Sequence, residues 1–121
     1  MPGGSQYQGP AVALELYTAV VDGSSIDSQV KGAKNPYTSR NEHMFSFLDQ
    51  EGVMALRLSD ELRDEFMAAF DSGPVIQYGR VMRGYVSVPS SLLEDTAQAA
   101  SWLSRSYEWI GTLPPKPTKK A

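Results

Sequence analysis

Side chains that could carry out catalysis are sparse in this sequence. It contains one histidine, His43, and no cysteine. A catalytic dyad or triad needs a nucleophile and an orienting group beside its base, and the sequence nominates neither for His43. The carboxylate pairs Asp60-Glu61, Asp64-Glu65 and Glu94-Asp95 fall at helix starts and on exposed turns, where the helix dipole and solubility explain them. We therefore predict a non-enzymatic protein with no metal and no cofactor, and an enzyme built on His43 is the least supported alternative.

Basic and aromatic residues are concentrated in one segment, residues 74–89, with the sequence PVIQYGRVMRGYVSVP. If Tyr78, Arg80, Arg83 and Tyr85 share an exposed sheet face, they could bind an anion, a nucleic acid or a protein partner. The structural alternative, which we favour, is that the tyrosine packs at the sheet rim and the arginines pair with helix carboxylates. The glycine spacing matches no phosphate-binding loop, and both flanks resemble strands.

A second candidate surface lies near the C-terminus. Trp102 and Trp109 are seven residues apart, with Arg105 between them, so all three project from one side of a helix. Tryptophan and arginine are enriched at interfaces, which favours a partner or dimer surface. A wide core-facing stripe explains the same spacing equally well.

Length, composition and charge limit the possible classes of protein. The 121 residues fit one domain, and 41% hydrophobic residues are enough to form a core. The net charge of −3 argues against general attraction to nucleic acid or to an anionic membrane surface. We see no leader-like N-terminus and no apolar run of membrane-spanning length. The expected location is the cytoplasm, with no membrane association.

The first half of the chain is predicted to form a helix and a hairpin. Helical spacing of apolar residues follows Pro10, and residues 24–41 are predicted to be an extended loop. Two apolar runs, Met44–Leu48 and Val53–Leu58, flank a four-residue loop in which Gly52 can take a positive φ.

The second half repeats this pattern. Ser59 is a good N-cap for a helix that ends at Gly73-Pro74. Strands 75–78 and 81–88 follow, joined by a type II′ turn at Gly79-Arg80, with Met82, Val86 and Val88 on one face. A long helix to Ile110 starts at Ser91 or one turn later at Asp95.

The resulting order, α-β-β-α-β-β-α, predicts an α+β fold with an antiparallel sheet built from two hairpins and flanked by helices. We place the domain at residues 10–113. Residues 1–9 are predicted to be a flexible lead-in and residues 114–121 a disordered basic tail.

Several short motifs follow one another from Met44 onward in a recognisable order and spacing. They are Met44-Phe45, Ala55-Leu56-Arg57-Leu58, Ser59-Asp60-Glu61, Tyr78-Gly79-Arg80-Val81-Met82, Tyr85-Val86-Ser87-Val88-Pro89, Leu92-Leu93 and Trp102. In these residues the chain resembles the N-terminal domain of the TfoX/Sxy family. The resemblance implies an α+β fold without catalytic activity, in a family whose best-known members are bacterial regulators of natural competence.

Two departures from that family limit what the resemblance implies. Ser46 follows Met44-Phe45 where many relatives have two glycines, and we expect no second domain like that of the competence regulators. Our first hypothesis is a small regulatory module that acts through a protein partner or self-association. The alternative is direct nucleic-acid binding through Lys31, Lys34, Arg80, Arg83 and the lysines of the tail.

Overall fold

The computed structural model describes residues 7–24, 26–70, 72–77 and 79–114. Within these residues none of the helices combines the length and apolar character needed to cross a membrane. The elements, in chain order, are α1 (Ala11–Gly23), β1 (Tyr37–Arg40), β2 (His43–Leu48), β3 (Met54–Arg57), α2 (Asp60–Ala69), β4 (Pro74–Gln77), β5 (Arg80–Val88), α3 (Ser90–Leu93) and α4 (Thr96–Ile110).

The strands form one antiparallel sheet in the order β1-β2-β3-β5-β4. Apolar residues of the described helices pack with one face of the sheet, in a core that includes Tyr17, Phe45, Leu56, Val86 and Leu103. The opposite face, which we call the open face, carries a smaller cluster contributed only by strands: Tyr37, Met44, Phe47, Ala55, Val75, Met82 and Tyr85. The predicted α+β architecture is confirmed.

The β2–β3 hairpin closes as the sequence predicts. One carboxylate oxygen of Asp49 accepts hydrogen bonds from the backbone N–H groups of Glu51 and Val53, each at 2.9 Å. Gly52 takes a φ of 87°. A short polar loop whose first side chain satisfies two backbone donors is therefore enough to reverse the chain.

The β4–β5 hairpin turns one residue earlier than predicted. Gln77 pairs with Arg80, so the connection is residues 78–79 and Arg80 already belongs to β5. Gly79, with a φ of 76°, is the second residue of this connection. The predicted type II′ turn, which requires glycine first, is wrong.

Gly84 interrupts the predicted alternation of β5. Its φ of 84° lies in the left-handed region that glycine adopts without steric cost. The pairing of β4 with β5 shifts register here, as expected for a bulge. Val86 and Val88 face the helices as predicted, but Met82 joins Tyr85 in the cluster on the open face. The prediction for Met82 is wrong because the bulge reverses which face the residues before it occupy.

Strand β1 lies inside the segment predicted to be a loop. Its four residues are too few and too polar to give a clear strand pattern, and pairing with β2 stabilises them. Thr38 is fully buried, and its hydroxyl lies 2.5 Å from that of Ser46. The hydroxyl of Ser46 also lies 2.7 Å from that of Tyr17, so these three hydroxyls satisfy one another inside the core.

The helix caps are largely those predicted. Ser59 accepts a hydrogen bond from the N–H of Leu62 at 3.2 Å. Asp95 caps α4 by accepting from the N–H of Gln98 at 3.3 Å. Because Asp95 has a ψ of 82°, the predicted single C-terminal helix is divided here into α3 and α4.

Candidate binding cleft

An open cleft of about 830 Å³ lies where the start of α2, the strand β5 and the end of α4 meet. Its wall contains three arginines, one tyrosine and one tryptophan, and we call it the arginine–tryptophan cleft after these residues: Arg57, Arg63, Arg83, Tyr85 and Trp109. Met67, which is 45% exposed, adds apolar surface at its edge. The cleft combines positive charge with apolar and aromatic surface.

Arg57 is held at the centre of this arrangement by the sheet and by α4. It ends β3 opposite Tyr85 of β5, and its carbonyl accepts a hydrogen bond from the hydroxyl of Ser106 at 2.6 Å. Its guanidinium carbon lies 5.5 Å from the centre of the Trp109 ring, within the range of a cation–π contact. The guanidinium is therefore held close to the indole.

The arginines of the cleft differ in their neighbours. Arg63 donates to the carboxylate of Asp60 at 2.9 Å, across one helical turn. Among the described residues, Arg57 and Arg83 form no ion pair with an acidic side chain. Arg83 is exposed and Arg57 is half-buried, and an arginine that forms no ion pair keeps donors available for a ligand. The cleft thus presents local positive charge on a chain whose net charge is −3.

Tyr85 contributes structure and a neutral polar group. Its hydroxyl donates to the carbonyl of Met44 at 2.6 Å, and its ring lies 5.6 Å from that of Phe47. Burial raises the pKa of Tyr85, although the nearby charge of Arg57 acts in the opposite direction. The phenol therefore stays protonated around neutral pH and adds no negative charge to the cleft.

The cleft brings together residues from both surfaces singled out in the sequence. Arg83 and Tyr85 from the hairpin and Trp109 from α4 line the same space. Arg80 lines a separate hollow on the open face, and Tyr78 lies outside the described residues. The predicted hairpin surface is thus divided between two concavities.

Trp102 and Arg105 of the predicted interface lie away from the cleft and against α2. Trp102 is only 7% exposed, and its ring packs edge-on against that of Phe66, with centroids 5.0 Å apart. The guanidinium of Arg105 lies 4.3 Å from the Trp102 ring centre and pairs with Glu65 at 2.9 Å. The use of this helix as an interface stays a prediction. Of the three residues predicted for it, Trp109 is the one that lines the open cleft.

The family model for the TfoX N-terminal domain matches residues 38–110, well over half of the chain. The chain belongs to the TfoX N-terminal domain family. No curated protein and no solved structure matches it. The part that matches the TfoX model contains every residue that lines the cleft, whereas α1 lies before it.

The other polar residues considered in the sequence lie elsewhere. The ring nitrogen Nε2 of His43 lies 2.9 Å from the carbonyl oxygen of Pro114. Lys31 donates to the hydroxyl of Ser39 at 2.9 Å. In the part of the chain that the structure describes, no three His, Asp or Glu side chains are grouped closely enough to hold a metal ion. The lysines of the tail lie outside the described residues.

Arg57 and Arg63 belong to the cleft but were not nominated from the sequence. Arg57 entered only as part of an apolar run and of the Ala55-Leu56-Arg57-Leu58 motif, and Arg63 was not singled out. Pairing β3 with β5 would have placed Arg57 opposite Tyr85, but the order of strands in the sheet could not be read from the sequence. Arg63 becomes relevant only when the start of α2 is placed beside β5.

Proposed function

We propose that this chain is a non-enzymatic regulatory module that binds a protein partner through the arginine–tryptophan cleft. The observation that supports this most strongly is the convergence of Arg83, Tyr85 and Trp109 in one open cleft, with Arg57 beside the indole. Membership of the TfoX N-terminal domain family supports a regulatory-type module. We extend the proposal to transcription or competence regulation, exerted through the partner.

The chemistry of the cleft defines the ligand it would accept. Arginine binds carboxylates through two parallel hydrogen bonds, a geometry that lysine does not reproduce. Trp109 and Met67 offer apolar surface beside the free guanidinium groups. The expected ligand is a segment of a partner protein with an aspartate or glutamate next to a large apolar residue.

Selection from a random peptide library against the whole immobilised chain would test this ligand. The matched variant is Arg57→Met with Arg83→Met, which keeps most of each aliphatic stem and removes both charges. We expect the selected peptides to contain an acidic residue beside an apolar one. Their affinity for the double variant should fall about 10- to 100-fold.

Arg105→Met serves as the control, because Arg105 lies against α2 and pairs with Glu65. It should leave peptide affinity unchanged. Selected peptides that lack acidic residues, or that bind the double variant as well as the wild type, would refute the proposal.

The same proteins should also be titrated with a single-stranded oligonucleotide and with a DNA duplex at low salt. Binding through the nucleic-acid alternative would weaken steeply as salt increases, because bound counterions are released. If oligonucleotides bind in this way and Arg57→Met with Arg83→Met abolishes it, the cleft is a nucleic-acid site and the protein-partner proposal fails.

A further inference from the structure

The open face contains a second concavity, and its charged residues differ from those of the arginine–tryptophan cleft. This hollow, of about 760 Å³, is lined by apolar residues of four strands, by the β2–β3 loop and by the segment before β1. Tyr37, Met44, Phe47 and Met82 form its apolar part. None of the described helices contributes to this cluster, so the strands alone form this apolar surface.

Exposed apolar side chains stand on the wall of the hollow. Ile76 of β4 is 58% exposed and Val81 of β5 is 61% exposed, and the two residues are partners in the sheet. An exposed apolar pair beside an apolar depression is unusual on a surface that meets only water. One face therefore offers both a projection and a hollow of the same apolar character.

The rim of the hollow carries charges of both signs. Arg80 and Glu51 are exposed and line it. Among the described residues, neither side chain forms an ion pair. The nearby carboxylate of Asp49 already accepts two backbone hydrogen bonds of its own loop. Arg80 and Glu51 are thus an opposite-sign pair available to a ligand.

We infer that the open face is a self-association surface, which binds a second copy of this chain about a twofold axis. In such an interface each contact occurs twice, so Arg80 of each protomer would meet Glu51 of the other. Ile76 of each protomer would enter the apolar hollow opposite. A nucleic acid fits the surface less well, because Glu51 and Asp49 would repel its phosphates.

Sedimentation equilibrium over a range of concentrations tests the assignment. Wild type should show a monomer–dimer equilibrium, and Ile76→Asp should weaken association at least about tenfold by placing a charge in the apolar contact. Val12→Asp is the matched control, since Val12 is a comparably exposed residue, at 62%, on α1. It should leave the association constant unchanged, and circular dichroism should show all three proteins folded.

A charge exchange provides a second, independent test. Arg80→Glu and Glu51→Arg should each weaken self-association, because like charges then face each other across the axis. Mixing the two variants should restore dimers, since both contacts of the mixed dimer regain opposite charges. Restoration in the mixture, with neither variant dimerising well alone, is specific to this pair of contacts.

Three results would overturn the inference. The first is a wild type that stays monomeric up to millimolar concentration. The second is an Ile76→Asp variant that dimerises like Val12→Asp. The third is association lost in Trp109→Ala but kept in Ile76→Asp, which would place the interface at the cleft. None of these depends on peptide binding, so this inference and the proposed function can fail separately.

Discussion

Replacing Gly84 with alanine tests whether the β5 bulge depends on a left-handed backbone. An alanine Cβ there would approach Arg57 Cγ no closer than 3.7 Å, an ordinary contact, so crowding adds no cost. The φ of 84° does add a free-energy cost, because a left-handed backbone costs about 1–2 kcal/mol for a residue with a side chain. Reduced freedom of the unfolded chain offsets about 0.4–1 kcal/mol of this cost. We expect a net loss of about 1 kcal/mol in the free energy of unfolding.

The loss can be measured by urea unfolding, followed by tryptophan fluorescence, because Trp102 is buried in the folded chain. A net loss of this size should also lower Tm by about 3–6 °C in a chain of 121 residues. Gly73→Ala is the matched control: nothing lies within 4 Å of its added Cβ, and the backbone there is not left-handed. The control should be neutral or slightly stabilising.

Equal stability of the Gly84→Ala and Gly73→Ala proteins would refute the reasoning. It would mean that β5 runs without a left-handed residue at position 84. Met82 would then return to the face predicted from simple alternation, and the open face would lose part of its apolar cluster. The comparison therefore tests the geometry on which both concavities depend.

Three further predictions concern the core and the end of α4. Ser46→Ala should lower the free energy of unfolding by about 2–3 kcal/mol, because the Ser46 hydroxyl contacts the hydroxyls of both Tyr17 and Thr38. Tyr17→Phe should lower it by only about 1 kcal/mol. Equal losses in urea unfolding would contradict this. Burial raises the pKa of Tyr17 and Tyr85 above the ordinary value of 10.0, so the unfolded chain ionises first. Stability should fall as the pH rises above that value, and Tyr17→Phe should flatten the decline in a pH series of unfolding curves. Arg40→Met should lower the free energy of unfolding by about 1–3 kcal/mol, as measured by thermal unfolding. Arg40 donates to the carbonyl of Tyr107 at 2.8 Å, and its guanidinium carbon lies 4.1 Å from the centre of the Tyr107 ring. An unchanged Tm would show that these contacts contribute nothing.

Local chemistry made part of the fold predictable from the sequence. The N-cap at Ser59 and the Asp49–Gly52 loop each depend on side chains and backbone groups within four residues of one another. Residues of these types in that order favour such hydrogen bonds without help from distant parts of the chain. The helices and the two long hairpins follow from such signals together with the spacing of apolar residues.

Features that depend on distant residues could not be predicted. Strand β1 is stabilised by pairing with β2 and by the hydroxyl of Ser46, and neither is visible in its own four residues. The bulge at Gly84 looked like one more position in an alternating strand. The cleft needs Arg57 beside Trp109, and these residues meet only because the end of α4 reaches the end of β3.

The packing of α1 against α4 has a consequence for how the chain folds during its synthesis. Tyr17 and Val20 of α1 share one core with Leu103 and Ile110 of α4. A ribosome takes about 4–15 s to synthesise the stretch that separates the two helices. During that time the apolar side of α1 has no α4 to cover it, and a chain shortened to the family-matched part would lose that contact permanently. We therefore expect α1 to complete its packing only after α4 has left the ribosome.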